Sequence, residues 1–229
     1  MSALQLEAAA AILGPVLDEV VFVGGATIHL WLTEEGVPPT RATDDVDVIC
    51  EVATRSEYYR LGSRLRERGL REAIDEPVVC RWRSRDPQLV LDVMPTDPDI
   101  LGFSNPWYDE AISTAEAVTL DSGTTIRAAT PAPLVATKLS AWKGRGDGDL
   151  LPSLDVHDIL TLFNGRSELI SEIRSSSDDL RSFVEEEMKA LTEHTYFSYV
   201  VASAVSGYGP RATGRAQILQ QRIDEFLDR

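Results

Sequence analysis

Apolar and polar positions change rhythm near residue 130. Upstream, short apolar runs of strand length alternate with amphipathic stretches; downstream, the spacing is helical throughout. Leu4 to Leu13 is rich in alanine and leucine and predicts a helix, ended by Gly14 and Pro15. "VVFVGG" predicts a short buried strand and "GATIHLWLTEE" a helix, with Gly24 and Gly25 at their junction. "GVPPTRAT" predicts a loop, because adjacent prolines and Gly36 interrupt regular structure. A second strand is expected over about Asp45 to Cys50, and a polar amphipathic helix over Ser56 to Arg68. "VVCRWR" and "LVLDVMP" read as strands joined by a turn at "SRDPQ"; a further hairpin turns at Asp121 to Gly123.

From Thr130 a cap residue and Pro131 open a helix, "TPAPLVATKLSAWKG". The glycine-rich link "GRGDGD" leads to "SLDVHDILTLFNG" and then to helices expected at Glu168 to Arg174, Asp178 to Ala204 and Arg215 to Leu227. In the last, Ile218, Leu219, Ile223, Phe226 and Leu227 form an apolar stripe suited to core packing. The expected architecture is therefore an α/β (α+β) domain over residues 1–129, a mixed sheet flanked by helices, followed by a helical domain over residues 130–229.

Composition narrows the classes. With 26% charged and 43% hydrophobic residues in 229, the chain reads as globular. Its net charge of -15, from 37 acidic and 22 basic residues, disfavours a general DNA-coating role, which needs many phosphate-neutralising cations. A nucleotide or an RNA end remains compatible with a local basic patch; Arg81, Arg83 and Arg85, spaced at two, offer one, and plain solvent exposure explains them equally. Two cysteines, Cys50 and Cys80, lie in apolar runs, and His29, His157 and His194 form no ligand-spaced cluster, so no zinc site is expected. The opening twenty residues lack a positive n-region, the first Lys or Arg being Arg41, and no long apolar run exists. A cytoplasmic, non-membrane protein is expected. "RGD" at Arg145 to Asp147 reads as loop composition.

"TDDVDVIC" poses the chemical question. Aspartate is depleted in strands, yet three occur at Asp44, Asp45 and Asp47. Alternation puts Asp45 and Asp47 on one face, and Asp92 sits alone among the apolar residues of "LVLDVMP". If the two strands adjoin, the carboxylates meet. Two like charges about 4 Å apart repel by roughly 4 kcal/mol at an effective dielectric of about 20. Protons or a hard divalent cation would relieve that cost, and magnesium commonly joins carboxylates to substrate phosphates. Gly24 and Gly25, at a strand-to-helix junction, would let the backbone approach a phosphate.

This ordered set resembles the nucleotidyltransferase superfamily with the polymerase-beta-like core, closest to the AbiE-type abortive-infection toxins of bacterial toxin–antitoxin systems. The matching residues are Gly24 and Gly25, then Arg41, Thr43, Asp45 and Asp47, with Asp92 as third carboxylate; Asp44 falls outside the ligand set. The later motifs, a lysine followed seven positions on by a basic residue and then "DxxD", match Lys138 and Arg145, and Asp155 and Asp158. The motifs run from residue 24 to 158.

The resemblance implies transfer of a nucleoside monophosphate from an NTP to an acceptor hydroxyl, with Mg²⁺ or Mn²⁺ held by Asp45, Asp47 and Asp92. Asp92 would be ligand, base or both. Gly24, Gly25, Arg41, Thr43, Lys138 and Arg145 would bind the nucleotide, with Asp155 and Asp158 orienting the cations or touching the nucleoside. Implied partners are a tRNA 3′ end as acceptor and a cognate antitoxin. A small-molecule (antibiotic-type) transferase and a non-catalytic nucleotide-binding or interaction protein are the alternatives.

Overall fold

The computed structural model describes residues 2–52, 54–85, 88–144 and 150–228. The chain divides into two compact units: residues 1–30 with 41–130, and residues 31–40 with 131–229.

The first unit is built on a seven-stranded mixed sheet in the order β3-β4-β5-β2-β1-β7-β6. Its strands are β1 (Val20–Val23), β2 (Val46–Cys50), β3 (Arg71–Glu72), β4 (Arg81–Arg85), β5 (Gln88–Pro95), β6 (Glu116–Thr119) and β7 (Thr125–Ala128). β1 and β2 are antiparallel, whereas β2 and β5 run parallel, joined by a long connection. That connection holds helix α2 (Arg55–Glu67), begun by a Thr54 side chain that accepts the Glu57 N–H. α2 lies against the sheet: Tyr58 donates to the Val93 carbonyl at 2.9 Å, and Gly62 faces the Trp82 ring. Helix α1 (Ser2–Leu13) buries Leu6, Ala9, Ala10 and Leu13. Short helices α3 (Pro98–Leu101) and α4 (Tyr108–Ser113) follow β5.

Among the described residues the regular elements of the second unit are all helical, with α-helices α5 (Pro131–Gly144), α6 (Leu154–Gly165), α7 (Leu169–Arg174), α8 (Asp178–Glu193), α9 (Phe197–Ala204) and α10 (Ala212–Phe226). It includes the strap Trp31–Thr40. The Thr33 and Glu34 N–H groups donate to the Gly165 carbonyl at 2.9 and 3.0 Å. The Glu34 carboxylate accepts from Arg222 and lies 3.6 Å from Arg215, while Arg166 donates to the Trp31 carbonyl at 2.8 Å. A mixed sheet flanked by helices and followed by a helical region is thus the architecture, as expected.

Several local expectations need correction. The helix expected from Gly25 is a 3₁₀ helix, Gly25–Trp31, because the Thr27 N–H and Oγ1 both close on the Gly24 carbonyl, at 3.3 and 2.9 Å. The single helix expected from Asp178 to Ala204 is two: His194 turns extended, and its ring nitrogen accepts the Tyr196 N–H at 3.2 Å. The strand expected at "VVCRWR" begins only at Arg81. In the terminal stripe Leu219, Ile223 and Phe226 are buried, but Ile218 is 37% exposed. Of the turn expected at "SRDPQ", Ser84 and Arg85 belong to β4 and Gln88 to β5, while Asp86 and Pro87 lie outside the described residues, as do Arg145 and the rest of the RGD stretch. Among the described residues no helix is long and apolar enough to cross a membrane.

Candidate functional site

One row of residues crosses four strands: Val23 is the Cα partner of Asp47, Asp47 of Asp92, and Asp92 of Arg81. Register partners point to the same face of a sheet. Asp47, Asp92 and Arg81 therefore share a face, and the alternating residues Val46, Val48, Leu91 and Val93 are buried on the other. That buried face accounts for the strands' presence in the sheet, and the other carries the charged residues beside apolar neighbours such as Val23 and Ile49.

Arg81 occupies the centre of the cluster. Its Nε and Nη2 donate to the two oxygens of Asp92, each at 2.8 Å, a bidentate fork. Nη2 also donates to Asp45 Oδ2 at 2.7 Å. Nη1 lies 3.6 Å from Glu76, whose carboxylate is held by Arg83. Two of the arginines that suggested a basic strip are thus spent on carboxylates. Burial raises the Asp45 pKa above the usual carboxylate range, the Asp92 charge raises it further, and Arg81 only partly offsets both. The hydrogen bond to Asp92 raises the guanidinium pKa still higher, so Arg81 is permanently charged. Asp44 is exposed.

Gly24 has φ of +75°, in the left-handed region that favours glycine. A Cβ there would stand 1.9 Å from Asp47 Oδ2, so the missing side chain makes room for a carboxylate of the cluster. Gly25 starts the 3₁₀ helix. Thr43 is buried and doubly tied to α1: its hydroxyl donates to Gln5 Oε1 at 2.9 Å and its carbonyl accepts from Gln5 Nε2 at 2.7 Å. The Arg41 carbonyl accepts from Ser2 at 3.2 Å.

In the second unit Lys138, on α5, is 5% exposed and lies 2.7 Å from Asp158 and 3.4 Å from Asp155, both buried on α6. The i,i+3 spacing places both carboxylates on one helix face, and Ser153 caps the start of α6 by accepting the Val156 N–H. Asp155 stands in the first turn, where the helix macrodipole favours negative charge. Lys138, taken alone, would read as a surface charge; in the structure it is part of a buried triad.

Carboxylate oxygens suit a hard divalent cation in kind. In placement, Arg81 stands between Asp45 and Asp92, and among the described residues no group of three or more His, Cys, Asp or Glu side chains is arranged to hold a metal ion. The participants that sequence reading missed are Gln5, Glu76 and the central role of Arg81; the last has a signal, since pairing Arg85 with Gln88 and counting back sets Arg81 against Asp92. The chain matches no protein-family model and no curated protein.

Proposed function

We propose that this protein is a metal-dependent nucleotidyltransferase of nucleotidyltransferase-like fold, moving an NMP from an NTP to an acceptor hydroxyl in the cytoplasm. The observation that carries the reading is the direct register pairing of Asp47 with Asp92, with Asp45 joined to Asp92 through Arg81 and the Asp47 carboxylate lying over Gly24. Carboxylates there outnumber the one guanidinium, so a bare triphosphate is repelled and a nucleotide accompanied by a divalent cation is accepted. When bound, Mg²⁺ or Mn²⁺ would neutralise charge on the transferred phosphoryl group.

Asp45 and Asp47 would hold that ion. Asp92 would share it or take the proton of the acceptor hydroxyl. The acceptor oxygen forms its bond to the α-phosphorus as the bond to the bridging oxygen breaks, and pyrophosphate leaves. Gly24, Gly25, Arg41 and Thr43 would bind the nucleotide, and the family resemblance assigns Lys138 and Arg145 to its phosphates. Asp155 and Asp158 fix Lys138 in place. A tRNA 3′ end as acceptor and a cognate antitoxin as partner rest on the family resemblance; small-molecule hydroxyls are the competing acceptor class.

A second reading has its own observation: Arg81 already neutralises Asp45 and Asp92, as a nucleotide-binding protein without catalysis would tolerate. Incubation with each α-labelled NTP, a divalent cation and total RNA or cell extract, with pyrophosphate release followed in parallel, separates the two. Label transfer lost by more than about 100-fold in Asp45→Asn and Asp47→Asn is expected for the enzyme. Wild-type transfer in both variants sinks it.

A further inference from the structure

We infer that Arg81 is a built-in counter-cation that keeps divalent ions off Asp45 and Asp92 until it is drawn away, so that the ion loads with the nucleotide rather than before it. This deepens the transferase reading and rests on it for the identity of the nucleotide. Arg81 is a positioning residue here.

The geometry is that of an occupied cation site. The guanidinium fork spans carboxylates from two sequence-distant segments, Asp45 just before β2 and Asp92 on β5, through three hydrogen bonds of 2.7 to 2.8 Å from Nε and Nη2. An arginine needed only to anchor β4 to β5 would be satisfied by Asp92, its register partner. The added reach to Asp45 places a fixed positive charge where an ion shared by those carboxylates must sit, and like charges a few ångströms apart exclude one another. Arg81 also has a further carboxylate within reach. Its remaining terminal nitrogen faces Glu76 at 3.6 Å, and that carboxylate is only 29% exposed and is steadied by Arg83. A triphosphate arriving with its own cation offers the guanidinium a bidentate anion, the exchange that arginine geometry favours.

Mn²⁺ alone, titrated into nucleotide-free protein and followed by electron paramagnetic resonance, tests this. Arg81→Met is expected to bind Mn²⁺ at least about tenfold tighter than the wild type, the scale of removing one fixed like charge beside the ion. Arg81→Lys falls between them, and Arg81→Met combined with Asp45→Asn loses the gain. Should Arg81→Met be poorly folded without metal, its melting temperature is expected to rise with Mn²⁺ while the wild-type value barely moves. An ordinary structural ion pair would lose stability on substitution and gain no Mn²⁺ affinity. Unchanged Mn²⁺ affinity in both single variants overturns the inference and leaves the transferase reading standing. A gain of Mn²⁺ affinity in a protein that transfers no label has the opposite meaning: the counter-cation is real and the nucleotidyltransferase reading fails.

Discussion

Asp47 leans across Gly24, so closely that a Cβ on residue 24 would stand 1.9 Å from Asp47 Oδ2. The residue after β1 is therefore constrained twice, by a φ of +75° and by the carboxylate above it. Gly24→Ala is expected to destabilise the sheet unit by about 1–3 kcal/mol and to displace Asp47, lowering Mg-dependent transfer as well. Thermal unfolding together with the label-transfer assay checks both; a variant with wild-type stability would show that the backbone adapts.

The Lys138 triad makes a prediction that separates structure from function. Lys138→Met leaves Asp155 and Asp158 buried without their ammonium partner, and should cost about 3–5 kcal/mol. Adding Asp155→Asn and Asp158→Asn should restore much of that stability, measured by chemical denaturation. NTP affinity should stay low in the rescued protein. Recovery of the NTP dissociation constant along with stability would remove Lys138 from the phosphate-binding role.

Glu34 carries a pH dependence. Its hydrogen bond from Arg222, followed by the charges of Arg222 and Arg215, holds its pKa below the usual glutamate range. A carboxylate whose folded pKa is depressed contributes stability above its unfolded pKa, about 4.3, and loses it as pH falls through the folded value. Glu34→Gln should therefore be less stable than the wild type at neutral pH by about 1 kcal/mol. The two stability curves should converge in acid, and a constant gap across the titration would contradict the assignment.

Cys50 and Cys80 are buried free thiols, and burial pushes each up to about 12. Neither forms appreciable thiolate at mildly alkaline pH, so iodoacetamide should leave the native protein unlabelled and modify both after denaturation. Fast native labelling would mean that the sheet opens at β2, for Cys50, or that the turn before β4 opens, for Cys80.

Much of the cluster was readable because strand alternation is a strict geometric rule: it put Asp45 with Asp47 and set both against the buried valines. The pairing of Asp47 with Asp92 was less accessible, since β2 and β5 run parallel across a long connection whose register no turn chemistry specifies. The place of Arg81 against Asp92 is hidden for a different reason. Its charge suggested a solvent-facing strip, whereas the hairpin register carries it onto Asp92. The break at His194 left no proline or glycine as a marker; a ring nitrogen taking the Tyr196 N–H is a local bond that apolar spacing cannot reveal. Lys138 met its aspartates as the i,i+3 spacing suggested, but only packing of α5 on α6 shows that the three are buried.

The strap Trp31–Thr40 has a consequence for biosynthesis. It leaves the ribosome before most of the sheet unit, yet Arg215 and Arg222, which clasp Glu34, lie near the C-terminal end of the chain. During translation the sheet unit can therefore form while that loop still lacks its later partners. Gly165 and Arg166 can take the strap's backbone once α6 has emerged, but the Glu34 carboxylate is clasped only after α10, so a nascent chain stalled short of α10 would carry a finished sheet and a strap with Glu34 unclasped.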